Sequence, residues 1–421
     1  MTEAAQSVRG TVLRSVNGGY GLMKVDGRTL FVRGALPGEE VVANIRSRRK
    51  GVLFGDVSEV ILKAPGRRVA PCKVAFRCGG CHFQHATPEA QREAKTEALR
   101  ELLDRAHIDL PITAWHAGPE TRWRCRIELH GLREGQASRL GFFEERSHRL
   151  VPADSCLQVS EALRELVAAL SALFETEGLA PGSCEVIESF DGSSRVLLTP
   201  DEVAAKRASE VRESLRLSGV VWRHERFEAT VLSGESSVEN TIGDITLRHH
   251  ALSFFQANRH LTPILVERVL AEVHEGGPGS VADLFSGVGL FSIPLARAGR
   301  EVIAVEWSPS AFLDLQFNAT RARVALEAHN LAVGTALAGG LPLEDAIAIV
   351  DPPRRGLDPM ELDAIAGGRP RRVVYVSCDP ATLARDLSRF SERGYKARGI
   401  EVFDMFPATF HLETLAVLER Q

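Results

Sequence analysis

The stretch Val281-Ala282-Asp283-Leu284-Phe285-Ser286-Gly287-Val288-Gly289 decides the fold of the second half of the chain. Val281 to Phe285 read as a strand buried on both faces, and Gly287 and Gly289 form the turn that leaves it. The same texture repeats downstream. Val302 to Glu306 is a second strand, and Ala346 to Val350 a third that runs into Asp351-Pro352-Pro353. Arg372 to Ser377 is a fourth, and Thr414 to Glu419 a late fifth. Helical segments lie between them, for example 309–328. This alternation predicts a Rossmann-like α/β domain, a mostly parallel sheet with helices on both faces. Such sheets bind ligands beyond the carboxyl ends of their strands, and four motifs collect there.

Each motif has two readings. The Gly287-Val288-Gly289 turn brings backbone close to a ligand or is simply tight; Ser292 stands where a dinucleotide fingerprint would place its third glycine. Glu306, closing the second strand, suits ribose hydroxyls. Asp351-Pro352-Pro353-Arg354-Arg355-Gly356 is stiffened by its prolines, so Asp351 is either pinned against a ligand or a capping residue. In Ser377-Cys378-Asp379-Pro380-Ala381-Thr382-Leu383-Ala384-Arg385-Asp386, Cys378 ends a strand just before a helix. That is a place for a reactive thiolate or for an inert buried cysteine. His411 and Glu413 precede the last strand, and by position either can serve as a general base.

Farther out, residues 8–62 predict a small β-barrel of OB type. Short apolar runs alternate there with the turns Asn17-Gly18-Gly19, Asp26-Gly27 and Pro37-Gly38. Its loop Arg46 to Lys50 is the most basic spot in the chain and suits phosphate contacts. Residues 1–72 hold 12 Lys and Arg against 6 Asp and Glu, although the whole chain carries −4. A basic module on an acidic body fits docking on a polyanion, or a solvated basic face. Pro65-Gly66 reads as a linker, 88–106 as a helix, and Glu161 to Glu177 as an amphipathic helix.

The chain has 421 residues, 44% of them hydrophobic and 25% charged, which excludes a disordered polymer and gives enough material for several domains. No apolar run is long enough for a membrane span and the start lacks a signal-type apolar region, so a cytoplasmic location is expected. Seven cysteines do not make a disulfide scaffold.

The four downstream motifs together resemble those of the RNA uracil-5-methyltransferase family, which uses S-adenosylmethionine. The shared elements are D-L-F-x-G-x-G at Asp283, D-P-P-R-x-G at Asp351, S-C-x-P-x-T-L-A-R-D at Ser377 and F-P-x-T-x-H-x-E at Phe406. Phe254-Phe255-Gln256-Ala257-Asn258 matches the family's F-F-Q-x-N element. The resemblance implies Cys378 as nucleophile on uracil C6 and Glu413 as the base that removes the C5 proton. It implies Gln256, Phe285, Gly287, Glu306 and Asp351 as cofactor-lining residues, and a target base that leaves its stack. Two positions depart from the family pattern: Ser286 stands where Cys is frequent, and Leu290 where a polar residue is frequent.

Cys72-x5-Cys78-x2-Cys81, with Cys156 75 residues on, is soft-metal chemistry that reads as zinc or iron–sulfur. It resembles the [4Fe–4S] set of the family's ribosomal-RNA branch, and the amino-terminal barrel resembles the TRAM module of some members. Cys125 and Cys184 match no ligand position. Trp123, Arg124, Arg126, Phe142 and Phe143 could touch RNA or fill the core. The expected organisation is a TRAM barrel at 1–63, a central α+β RNA-binding domain with the cluster at 64–253, and the methyltransferase domain at 254–421. The helix at 88–106 is assignable to either of the last two. The expected activity is methylation of a 23S rRNA uridine by a monomer. The rivals are a tRNA T-loop methyltransferase and a noncatalytic RNA chaperone or ribosome-assembly factor. An iron–sulfur electron carrier or radical enzyme is disfavoured by the x5 cysteine spacing.

Overall fold

The computed structural model describes residues 7–134, 137–177, 182–199, 207–225 and 228–421. The chain divides into two compact units.

One unit takes the chain up to Asp109, together with Phe143–Val151 and Phe406–Leu412. Its six-stranded sheet runs in the order Ser7–Thr11, Glu40–Arg49, Val52–Leu62, Arg28–Arg33, Tyr20–Val25, Arg14–Val16. The inward residues of these strands, among them Met23, Leu30, Val32, Val41 and Ala43, form one apolar core with Val12 from the link between the first two. A Cβ on Gly21 would lie 2.6 Å from Val12 Cγ1, so the turn of the sheet there needs glycine. The helix Pro88–Arg105 begins at Thr87, whose hydroxyl accepts from Ala90 N, and carries proline in its first turn. It belongs to this unit. Glu97 accepts from Ser15 N at 2.7 Å, Arg14 pairs with Glu101, and Leu99 and Leu103 are buried.

A segment from near the other end of the chain completes this unit. Ala408, at φ +62°, has its carbonyl held by His82 N at 2.7 Å and Phe83 N at 2.8 Å. Its own N–H donates to Gln91 Oε1 at 2.8 Å. The buried Lys95 ammonium donates to the Phe406 and His411 carbonyls, at 3.1 and 3.2 Å.

The other unit holds two larger sheets. In the first, the order is Ala137–Phe143, Arg126–Glu134, Gly182–Glu188, Arg195–Thr199, Gly219–Arg223, Ala229–Gly234. The helix Glu161–Glu177 lays Leu163, Leu166, Val167, Leu170 and Phe174 against Ile127, Leu129 and Val186 of that sheet. The second sheet is the Rossmann-like one. Five parallel strands lie in the order Glu327–His329, Val302–Val305, Val281–Asp283, Ile347–Val350, Arg372–Ser377. The strand Glu413–Arg420 then pairs antiparallel to Arg372–Ser377, and Tyr395–Phe403 pairs antiparallel to that. Ile112–His116 closes the edge, parallel to Tyr395–Phe403. The central strands are buried throughout, as runs such as Ile-Ala-Ile-Val demand.

One element is shorter than its periodicity suggests. The helix predicted over 309–328 spans Pro309–Ala322, because Arg323 adopts the left-handed conformation at φ +56°. The chain then forms the edge strand Glu327–His329.

Candidate active site

The register of the last strand builds the centre of the site. Arg372–Ser377 pairs antiparallel with Glu413–Arg420, and Ser377 lies opposite Thr414. Thr414 Oγ1 fastens this end by donating to Ser377 O at 3.0 Å. One residue beyond that last pair stand Cys378, just past the end of its strand, and Glu413, the first residue of the other. Two residues distant in sequence are thereby brought to the same end of the sheet, within electrostatic reach of each other. Asp379, next along, caps the helix Pro380–Ser391, accepting from Ala381 N at 2.9 Å and Thr382 N at 3.1 Å.

The electrostatics of this corner are those of crowded acids. Burial pushes the Cys378 thiol up to about 12, and the charges of Glu413 and Asp351 add to the rise, while Arg354 opposes it. Glu413 is buried, its Oε1 has no hydrogen-bond partner, and its carboxyl is held well above the ordinary range. Burial is the first cause, the Asp351 charge the second, and Arg354 again acts in opposition. Burial and the Asp283 charge bring Asp351 up to about 7. Arg354 was quoted in its motif but not expected in the site; its place directly after Asp351-Pro352-Pro353 was the available signal. His411 belongs to the other unit, where its ring lies 4.1 Å from that of Phe410. Glu413 is thus the acid that faces Cys378.

The glycine turn supplies the second part. Leu284 N donates to Ile349 O and Ser286 N to Val305 O, so the turn is tied to strands on both sides. Gly287 has φ +55° and open space where a Cβ would stand. Gly289, at φ +93°, has none: a Cβ would sit 2.6 Å from Ile293 Cγ1 and 2.8 Å from Leu315 Cδ1. Ser286 uses its hydroxyl on Val305 O, and Leu290 is buried. Glu306 accepts from Gly287 N at 2.8 Å and Ser308 N at 2.6 Å; burial raises its carboxyl against these donors. Asp283 is fully buried and accepts from Ser292 Oγ at 2.6 Å through one oxygen. Its other oxygen has no partner, and burial lifts the group to about 7.

Gln256 is buried and Phe285 half-buried. The Gln256 segment is fastened by Asn258, whose amide donates to Met405 O at 2.9 Å and accepts from His260 N and Leu261 N. Arg126 holds the preceding loop through the Ser253 and Ala251 carbonyls, at 2.7 and 3.0 Å. These residues fit a nucleoside ligand. There is an uncovered glycine backbone at Gly287, a carboxylate at the end of the second strand, and an unpartnered buried acceptor on Asp283.

Cys125 and Cys184 are buried, and burial pushes both thiols up to about 12. Cys72, Cys78, Cys81 and Cys156 are half-buried. Their donor type fits a thiolate-bound metal. Among the described residues, no three His, Cys, Asp or Glu side chains are gathered as a metal site. Trp123 proves to be core, with its indole N–H on Gln158 Oε1. No helix among the described residues is long and apolar enough to cross a membrane.

A Rossmann-like sheet with a glycine turn, a carboxylate at the end of its second strand and a cysteine and a carboxylate at the end of its last two strands fits a nucleoside-dependent transferase. Comparison with known proteins gives the particulars. The tRNA (uracil-5-)-methyltransferase family profile matches residues 343–421. The chain is 38% identical to the 23S rRNA (uracil(1939)-C(5))-methyltransferase RlmD of Halomonas elongata, over 94% of this chain and 86% of that one. It is 34% identical to an uncharacterized RNA methyltransferase of Halalkalibacterium halodurans, over 95% and 94% of the two chains. Its fold matches that of the Pyrococcus abyssi tRNA (uracil-54, C5)-methyltransferase, solved with S-adenosyl-L-homocysteine. That match has a TM-score of 0.78 at 24% identity and covers 97% of this chain and 99% of that one. The chain belongs to the RNA uracil-5-methyltransferase family and is an S-adenosylmethionine-dependent enzyme. The reading as a noncatalytic RNA-assembly factor falls with that assignment.

Proposed function

We propose that the protein methylates C5 of a uridine in 23S ribosomal RNA through a covalent bond from Cys378 to uracil C6. The observation that supports the mechanism is that Cys378 and Glu413 each stand one residue beyond the terminal Ser377–Thr414 pair, with the Glu413 charge acting on the Cys378 thiol. Uracil C5 is a weak carbon nucleophile. Addition of the Cys378 sulfur to C6, with the thiol proton released to solvent, moves the C5=C6 electrons toward C5 and O4 as an enolate. S-Adenosylmethionine would be held by the residues around the glycine turn and, when bound, would supply the methyl for C5 and depart as S-adenosylhomocysteine. Glu413 removes the C5 proton, the C5=C6 bond re-forms, and the Cys378 thiolate leaves. Burial first, and then the charges of Glu413 and Asp351, favour the protonated thiol, and Arg354 is the cation that favours its ionised form.

Gln256, Phe285, Gly287, Glu306 and Asp351 are assigned to the cofactor. The 23S target is supported by 38% identity to RlmD over nearly the whole chain. The barrel of residues 1–63 and the region 64–253 are assigned to RNA binding, the barrel as a TRAM module with Arg46 to Lys50 on phosphates. Cys72, Cys78, Cys81 and Cys156 are assigned to a [4Fe–4S] cluster on their thiol chemistry, and no catalytic step passes through it. Anaerobic purification giving a brown protein with iron and sulfide supports the cluster; a colourless zinc protein overturns it.

The decisive experiment maps 5-methyluridine in 23S rRNA and tRNA from a strain lacking the gene, beside its parent. Loss at a 23S position is expected. Loss confined to the tRNA T-loop refutes the ribosomal target and leaves the chemistry standing. For the mechanism, Cys378→Ala should abolish methyl transfer. Glu413→Gln should accumulate a protein–RNA adduct, and unchanged turnover without adduct removes Glu413 from its role.

A further inference from the structure

The helix Pro380–Ser391 does more than follow Cys378. Three of its side chains grip the backbone of the Asp351–Leu357 loop. Thr382 Oγ1 donates to Arg354 O at 3.4 Å. Arg385 Nη2 donates to Arg355 O at 3.0 Å and Leu357 O at 3.1 Å. Asp386 Oδ2 accepts from Leu357 N at 3.0 Å. The two charged residues are themselves joined, with Arg385 Nε on Asp386 Oδ1 at 2.8 Å. Tyr375, on the strand that leads into Cys378, donates its hydroxyl to Asp386 Oδ2 at 2.7 Å. Gly356 fits beneath this group at φ +71°, where a Cβ would stand 2.5 Å from Arg385 Nη2 and 2.6 Å from Asp386 Oδ2.

We propose that Arg385, Asp386 and Tyr375 are positioning residues for the covalent step. They lock the loop after Asp351 so that Arg354 stays within electrostatic reach of Cys378 and Glu413. The inference rests on Cys378 being the nucleophile. A fully buried carboxylate is a costly way to fill a core, because an apolar residue does so without desolvating a charge. Here the carboxylate and its arginine spend their hydrogen bonds on loop backbone. Within the loop itself, Gly356 N on Pro353 O at 2.8 Å closes a single turn. Arg354 and Arg355 are exposed neighbours of like charge, so the loop depends on the helix to hold one orientation. The groups that act on Cys378 are Glu413, Asp351 and Asp379, which favour the thiol, and Arg354, which favours the thiolate. Moving Arg354 away therefore has one direction of effect.

The test measures Cys378 alkylation by iodoacetamide against pH in the full-length protein, beside methyl transfer to transcribed 23S rRNA. Arg385→Ala should slow Cys378 alkylation about tenfold at each pH along the rising limb of the profile, the mark of a smaller thiolate fraction. It should lower kcat about tenfold, with KM for S-adenosylmethionine changed less than about threefold. Arg385→Lys should restore part of both. Tyr375→Phe keeps the ion pair and should shift the profile in the same direction by less; it decides the matter if Arg385→Ala does not fold. Parental alkylation profiles in the folded variants overturn the proposal, even if activity falls. Failure of the covalent reading would show separately, as methyl transfer retained by Cys378→Ala, whereas the alkylation profile reads the lock directly.

Discussion

Gly289 and Gly287 make a paired test of the turn, because alanine should fail at each for a different reason. At Gly289, φ +93° lies outside what an L-residue adopts without strain, at a cost of about 1–2 kcal/mol. The new methyl would stand 2.6 Å from Ile293 Cγ1 and 2.8 Å from Leu315 Cδ1. Carbon contacts are optimal at roughly 3.5–4.0 Å, so both side chains must move, and overpacking of this kind costs about 1–3 kcal/mol. Gly289→Ala should therefore destabilise the sheet-bearing unit by roughly 2–5 kcal/mol, a fall of about 5–15 °C in its melting midpoint. At Gly287, φ +55° costs alanine only about 1 kcal/mol, and nothing lies within 4 Å of the added methyl. Gly287→Ala should melt within a few degrees of the parent yet bind S-adenosylmethionine at least about tenfold more weakly, since the methyl enters the space left for the ligand. Differential scanning fluorimetry and titration calorimetry read the two effects. A Gly289→Ala protein as stable as the parent would refute the packing argument. Normal cofactor affinity in Gly287→Ala would refute the cradle.

Asp283 gives a pH prediction. Its carboxyl titrates at about 7 in the folded protein, so the folded state prefers it protonated. Its stabilising contribution is complete below the unfolded value near 4 and is lost as pH rises through about 7. Asp283→Asn, neutral at every pH, should gain stability relative to the parent by a few kcal/mol between pH 5 and pH 8, and flat relative urea midpoints would contradict this. Lys95→Met should cost roughly 2–5 kcal/mol, because the Phe406 and His411 carbonyls lose their shared donor. Hydrogen exchange at Ala408 should accelerate, and unchanged protection there would refute the clamp. Replacing Arg48, Arg49 and Lys50, all exposed, by Gln should weaken RNA binding and reduce its salt slope by about 2–3. An unchanged slope would take that loop off the RNA.

The parallel core of the catalytic sheet could be read directly, because strands buried on both faces are written as unbroken apolar runs. Arg372 to Ser377 is expected and found over the same residues. Ile112–His116 was not legible as part of that sheet. Its partner is Tyr395–Phe403, far along the chain, and local periodicity carries no information on such pairing. The left-handed turn at Arg323 was equally hidden, since arginine is no signal for positive φ. At the site, residue types marked out Cys378 and Glu413, but their adjacency depends on the last strand running antiparallel. The Arg385–Asp386 pair was legible only as the end of the motif around Cys378. Its hold on the loop of another motif is a tertiary fact, visible only once Gly356 is seen packed against it.

The capture of Phe406–Leu412 by the unit that begins the chain has a consequence for synthesis. Lys95 must wait for a carbonyl 311 residues downstream, and at about 5–20 residues per second that is roughly 15–60 s on the ribosome. Until then a buried ammonium site, the Gln91 amide and the His82 and Phe83 backbone stand open. The barrel's early strands can pair as they emerge, but the groove around this helix cannot be finished by a nascent chain. A transcript truncated before residue 406 would leave a product whose first-made part is incomplete for want of a segment made far later, a natural substrate for proteolytic quality control.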